Sequence, residues 1–171
     1  LQMGPAGSRI ANVADGDTIL VLFNDKKIDR ARVLGNAKGE YRPSVSETDT
    51  VAIATELIRY DGKVIEFVVP KDRIVLDGDA HLTYRELELN ARKVTFDSEQ
   101  QTLVAEGKPQ IVEKGDKVEG QLMTYDMETR QGTIYQATTN YERGLYHGSR
   151  IRKVGDNQLD VLGGSYSTCD L

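Results

Sequence analysis

The chain of 171 residues lacks tryptophan, has 6% aromatic residues and contains a single cysteine, Cys169. One thiol cannot close a disulfide within the chain, so any bridge would need a cysteine elsewhere. The longest apolar run, from Ile19 to Phe23, has five residues, which is far too short for a membrane-spanning helix. The net charge of −5 argues against nucleic-acid binding.

Sequence motifs of catalysis and metal binding are also missing. Neither GxGxxG nor GxxxxGK followed by Ser or Thr occurs. The two histidines, His81 and His147, lie far apart on the polar sides of predicted strands, which predicts solvated side chains. Asp15-Gly16-Asp17 resembles part of a calcium loop but lacks the remaining ligands. We therefore predict a protein that is not an enzyme and holds no cofactor or metal.

What the chain does contain is alternation with a period of two. Leu76, Ala80 and Leu82 share one face of a predicted strand, while Asp77 and His81 share the other. This pattern is typical of strands with one buried face. It predicts strands at about 18–23, 28–41, 50–60, 63–69, 74–84, 87–97, 102–106, 117–126, 132–138, 145–154 and 158–166.

The phase of this alternation slips within several strands. Leu87 and Leu89 occupy odd positions, whereas Val94 and Phe96 occupy even ones. A one-residue slip moves side chains to the opposite face unless the strand bends. Repeated slips predict an all-β fold, a bent, open β-jelly roll or folded β-sandwich built from hairpin repeats. We place this single domain at 16–171, after an irregular N-terminal segment or non-native remnant at 1–15.

An aromatic residue followed by Asp recurs along the chain. It occurs at Tyr60-Asp61, Phe96-Asp97 and Tyr125-Asp126. We interpret each pair as the end of a strand that is followed by a turn and a new strand. Such spacing indicates an array of hairpins.

Residues 74–170 resemble a known family. The stretch from Leu76 to Asp97 resembles the OstA-type repeat, in which a "GdA.v.Y" strand pairs with an "L.A..v.yD" strand. Gly120 to Asp126 looks like the family's "G..l.Yd" step. The ending from Gly164 to Asp170 is similar to its "g.yTtCd" motif. The chain is thus similar to the N-terminal periplasmic domain of the LptD/OstA family of lipopolysaccharide-assembly proteins.

The resemblance implies a carrier at the periplasmic face of the outer membrane of a Gram-negative bacterium. Lipid A acyl chains would bind in an apolar groove and pass from a like-folded periplasmic bridge protein, paired head to tail, to an outer-membrane barrel. Cys169 matches the family's cysteine, which forms a disulfide with the barrel. From the inward register we predict these lipid-binding residues: Leu76, Leu82, Leu87, Leu89, Val94, Phe96, Leu103, Val118, Leu122 and Ile134.

Three alternatives remain open at this point. The chain fits a free-standing OstA-type periplasmic bridge protein of lipopolysaccharide transport, a structural β-solenoid, or a carbohydrate-binding β-domain. The same inward residues also suit a closed core. A carrier predicts a groove that its own side chains leave unfilled, whereas a solenoid predicts a filled interior. Self-association through the strands at about 18–41 is a further expectation, because an exposed sheet edge invites pairing.

Overall fold

The structure is a computed structural model that describes residues 2–3, 11–42, 57–113, 115–129, 131–141, 144–153 and 158–168. No helix among these residues is long and apolar enough to cross a membrane. Their helical structure is one 3-10 turn at Val69–Lys71. All other regular structure in these ranges is strand, so the prediction of an all-β fold is confirmed.

In the described part of the chain, fourteen strands form one continuous antiparallel sheet. They are β1 (Gln2–Met3), β2 (Ala11–Asp15), β3 (Thr18–Asn24), β4 (Lys27–Arg42), β5 (Ile58–Val68), β6 (Arg73–Tyr84), β7 (Leu87–Asp97), β8 (Thr102–Glu106), β9 (Gln110–Glu113), β10 (Asp116–Glu119), β11 (Leu122–Asp126), β12 (Gln131–Tyr141), β13 (Gly144–Lys153) and β14 (Leu159–Ser167).

Three pairs of short strands, β2 with β3, β8 with β9 and β10 with β11, are each the two halves of one bent strand. β2 and β3 pair with the two halves of β4, β8 and β9 with the two halves of β7, and β10 and β11 with the two halves of β12. Each bent strand pairs with the next one along the chain. The molecule is therefore a meander of about ten long strands, each bent near its middle.

The bends lie side by side and fold the sheet along one line, which we call the crease. Strand register breaks there between Leu34 and Ala37, Asp61 and Val64, and Asp77 and Ala80. Gly78 has φ of +77°, and a Cβ at this position would lie 2.9 Å from the Lys63 side chain. Left-handed backbone, which glycine adopts most easily, thus allows the strands to bend. The left-handed residues at the crease are Gly35, Asn36, Gly78, Asp79, Gly107, Lys108, Gln136 and Gly163.

The crease divides the sheet into two layers that pack face to face. Layer A contains 11–15, 38–42, 58–61, 80–91, 110–113, 115–119, 137–141, 144–148 and 164–167. Layer B contains 18–34, 64–77, 93–106, 122–126, 131–135, 150–153 and 158–162. The apolar faces of both layers meet in one core. The folded β-jelly-roll architecture predicted from the phase slips is thereby confirmed, since Leu89 and Val94 are both buried on either side of a bend.

Four strand assignments differ from the predicted ones. Strand β9, Gln110–Glu113, lies between the predicted strands 102–106 and 117–126 and was not predicted. Ala11–Asp15, placed in the irregular segment by sequence, pairs with β4 as strand β2. The predicted strands at 50–60 and 63–69 meet in one strand, Ile58–Val68, because Gly62 and Lys63 form a bend rather than a turn. Conversely, the predicted strand 117–126 divides into β10 and β11 at Gly120 and Gln121. Residues 51–56 lie outside the described ranges.

The aromatic–Asp repeat marks turns at two of its three places. Asp97 ends β7, and its Oδ1 accepts a hydrogen bond from the Gln100 backbone N–H at 3.0 Å. Asp126 ends β11 and accepts from Thr129 at 2.8 Å in the same way. Such side-chain acceptors stabilise turns. Asp61 instead lies within β5, just before its bend.

Candidate ligand-binding interior

The structure brings most of the predicted lipid-binding residues into one core. Seven have at most 7% of their surface exposed: Leu76, Leu82, Leu89, Val94, Phe96, Leu103 and Ile134. Leu87 and Val118 are half-buried and pack against that core. Their inward orientation follows from the alternation in each half-strand. Whether they contact a lipid stays a prediction.

Leu122 lies on the other face of the sheet, contrary to the inward position predicted for it. Its register partners are Glu106 and the exposed Tyr135, whereas its neighbour Met123 is 1% exposed and pairs with Ala105 and Ile134. The bend at Gly120 and Gln121 reverses the phase between β10 and β11. Met123 therefore occupies the inner position that we assigned to Leu122.

The core also contains residues that the sequence analysis did not select. Tyr41, Ile58 and Tyr60 contribute from layer A, and Ile65 and Phe67 contribute from layer B. Each belongs to the same two-residue alternation, so the pattern could have found them. The two tyrosines bring polar hydroxyls into an apolar interior, which requires hydrogen-bond partners.

Each buried tyrosine has such a partner. The Tyr60 hydroxyl donates to Oδ1 of Asn12, a buried residue of β2 in the same layer. Tyr41 has a side-chain hydrogen bond with Gln101, which lies in the turn between β7 and β8 of the opposite layer. Burial raises the pKa of both phenols above the ordinary value of 10.0, because a charged phenolate would be desolvated.

A small cavity lies between the two layers. Its volume is about 20 Å³, and the surface that faces it is apolar. A space of this size holds about one water molecule, and apolar cavities stay dry. The lining residues come from both layers and from the turn after β11: Tyr41, Ile58, Tyr60, Ile74, Leu76, Leu82, Val94, Phe96, Leu103 and Met127.

This interior is filled by the protein's own side chains. The open, unfilled groove expected for a carrier is not found among the described residues, and their filled interior is the state that we expected of a structural β-solenoid. An acyl chain enters only if the layers separate. The residues themselves suit such a ligand, since five of the predicted lipid-binding residues line the cavity.

The two ends of the sheet are much more exposed than its centre. β3 pairs only with β4 among the described residues, and its sequence Thr-Ile-Leu-Val-Leu-Phe-Asn carries no charge. Ile19 is 44% exposed and Phe23 is 67% exposed. At the other end, β14 pairs within the described ranges only with β13, and Tyr166 is 59% exposed. Such apolar edges are available for pairing with another chain.

The histidines have hydrogen-bond partners on the outer surface. His81 lies with Nδ1 3.0 Å from Asp61 Oδ1 and Nε2 3.3 Å from Glu88 Oε1. His147 Nδ1 lies 2.9 Å from Thr138 Oγ1. The part of the chain that the structure describes contains no group of three or more residues that could hold a metal ion. Cys169 lies outside the described residues, so its disulfide stays a prediction.

The architecture of two layers folded along a crease is known in other proteins. This fold is shared with LptH. That protein of Pseudomonas aeruginosa is the LptA-homologous periplasmic component of a conserved lipopolysaccharide transport device. The two structures match with a TM-score of 0.62 and 11% sequence identity, over 81% of this chain and 99% of the LptH chain. At this identity the likeness shows the fold alone. No protein-family model matches the chain, and no curated protein matches it.

Proposed function

We propose that this chain is an OstA-type periplasmic bridge protein that binds the acyl chains of lipopolysaccharide between its layers. The observation that carries the proposal is the fold shared with LptH over nearly the whole LptH chain. LptH is a periplasmic component of lipopolysaccharide transport. The fold therefore favours the free-standing bridge protein, which was an alternative from the sequence, as the proposed function.

The chemistry of the interior supports a lipid ligand. An acyl chain that leaves water for an apolar surface gains roughly 25 cal/mol per Å² of buried area. Leu82, Val94 and Phe96 supply such a surface on both layers. The outer faces carry exposed charged pairs, such as Arg152 with Asp160 at 2.8 Å, which keep that side hydrated. The proposed role is binding and transfer, without catalysis.

The two end strands support transfer from one molecule to the next. The free edge of β3 and the free edge of β14 lie at opposite ends of the described meander. Pairing β14 of one molecule with β3 of another would continue layer B and its apolar inner face. We infer that like-folded partners, including a second copy of this chain, associate in this head-to-tail manner.

Site-specific photocrosslinking in cells tests the proposal. The half-buried positions Leu87 and Val118 point toward the core and tolerate a bulky crosslinker better than fully buried ones. Crosslinkers at both should capture lipopolysaccharide. The adjacent exposed residues Glu88 and Glu119 are matched controls and should capture none. Equal capture from both pairs would contradict binding between the layers.

A second candidate is the N-terminal periplasmic domain of an LptD-type outer-membrane protein. The ending from Gly164 to Asp170, with Cys169 within it, favours this candidate. It predicts that Cys169 forms a disulfide with an outer-membrane barrel segment outside this sequence. Gel mobility of the native protein, with and without reductant, should then change in a manner that Cys169→Ser abolishes. If no Cys169-dependent change occurs, the LptD-type candidate is rejected.

A further inference from the structure

The side of the sandwich opposite the crease is closed by contacts between the two layers. Tyr41, at the end of β4 in layer A, has its ring centroid 5.2 Å from that of Phe96 in layer B. The Tyr41 side chain is also hydrogen-bonded to Gln101. The Gln101 carbonyl in turn accepts from the Met127 backbone N–H at 2.9 Å. We call these four residues, Tyr41, Phe96, Gln101 and Met127, the clasp.

Three of the four clasp residues, Tyr41, Phe96 and Met127, line the apolar cavity. The cavity volume of about 20 Å³ holds about one water, so no acyl chain fits beneath the closed clasp. A lipid that binds between the layers must first part these residues.

The layers can part only on this side. At the crease the two layers are joined by the backbone of every long strand, and the left-handed residues there form the bend itself. Opposite the crease, Tyr41 reaches layer B through one ring contact and one neutral hydrogen bond. Such contacts are weak compared with the burial of a long apolar chain.

We propose that the clasp gates a cryptic site for one unbranched acyl chain, which enters between Tyr41 and Phe96 and occupies the space opened between the layers. This inference rests on the proposed function and specifies its access route. Tyr41 acts as the movable element because it alone of the clasp belongs to layer A. Phe96, Gln101 and Met127 form the fixed side on layer B and its turns.

Stopped-flow fluorescence with cis-parinaric acid, an unbranched fluorescent fatty acid, tests the gate. Tyr41→Phe keeps the ring and removes the hydrogen bond between layers, so the association rate constant should rise roughly 2- to 10-fold, the range expected for one neutral hydrogen bond. Tyr135→Phe is the control. It removes a hydroxyl from the outer face of layer B, where Tyr135 is 38% exposed, and it should leave the association rate unchanged.

The outcomes separate the gate from the proposed function. A rise in association rate for Tyr41→Phe alone supports the gate. Equal rates in all three proteins, or an equal rise in both variants, would overturn it. Wild-type protein that takes up no fatty acid, although Leu87 captures lipopolysaccharide in cells, would also overturn the gate while leaving the carrier role intact. Absence of both signals would reject the carrier role itself.

Discussion

The centre of this sheet and its end strand β3 are both rich in apolar residues but differ in burial. Ile65 in β5 is fully buried, while Ile19 in β3 is 44% exposed, although both occupy inward positions. The difference is the number of neighbours, because β5 lies between β4 and β6 and β3 pairs only with β4 in the described part of the chain. Apolar residues of this end strand therefore stay exposed in the single chain.

Truncating an isoleucine in each region should give the largest difference in the free energy of unfolding. Ile65→Ala removes a fully buried side chain from the closed core, which costs about 2–5 kcal/mol. Ile19→Ala removes a side chain that is already half in water and should cost less than about 1 kcal/mol. Urea denaturation of both variants measures the free energy of unfolding. Similar losses would mean that the end strand is as well packed as the centre.

Two glycines in the central strands contrast overly close packing with ordinary van der Waals contact. A Cβ at Gly39 would lie 2.5 Å from the Tyr60 ring, whereas a Cβ at Gly62 would have its nearest neighbour at 3.6 Å. Gly39→Ala should therefore destabilise the fold by about 1–3 kcal/mol through overpacking. Gly62→Ala should change the free energy of unfolding by less than about 0.5 kcal/mol. If both variants lose the same stability in thermal melts, the Tyr60 ring moves away from the new methyl group with no loss of free energy.

A charge on the end strand should break association without loss of stability. Phe23 is 67% exposed on β3, and Phe23→Lys places a cation on the edge that we propose for pairing. The self-association constant from sedimentation velocity should fall about tenfold, which corresponds to about 1.4 kcal/mol. Gln100→Lys adds the same charge in a distant turn and should leave association unchanged. If both variants associate as the wild type does, β3 is not the contact.

The smallest effect concerns the turn that follows β7. The Gln100 backbone N–H and the Arg73 guanidinium keep the pKa of Asp97 below its ordinary value of 3.8. A depressed pKa in the folded state adds stability that is present above the unfolded pKa and is lost as pH falls through the folded one. Asp97→Asn keeps the turn acceptor and removes the charge. Between pH 4 and pH 2, acid should therefore destabilise the variant less than the wild type, by up to about 1 kcal/mol.

The bends could be predicted because they disturb a local pattern. The change of phase between Leu89 and Val94 falls at a real bend, and both side chains remain in the core. The inward position predicted for Leu122 is wrong because the phase changes before this residue, at Gly120 and Gln121. The sequence does not mark the point of that change. Strand β2 was missed since Asn12 is polar, and its burial depends on Tyr60, 48 residues away.

The state of the interior could not be predicted from alternation. An empty groove and a filled core both require inward Leu, Val and Phe, so the pattern is the same for each. What decides between them is the contact between Tyr41 and Phe96, which belong to different layers and different hairpins. Only the way in which the folded sheet closes upon itself brings them together.

The meander connectivity has a consequence for how such a molecule forms and changes. Every long strand pairs with its immediate neighbours along the chain, so native contacts have short sequence separations, and folding is expected to be fast for an all-β protein. Hairpins can be added to or removed from either end without rethreading the others, as in repeat proteins. The length of the sheet is therefore a quantity that evolution can adjust one hairpin at a time.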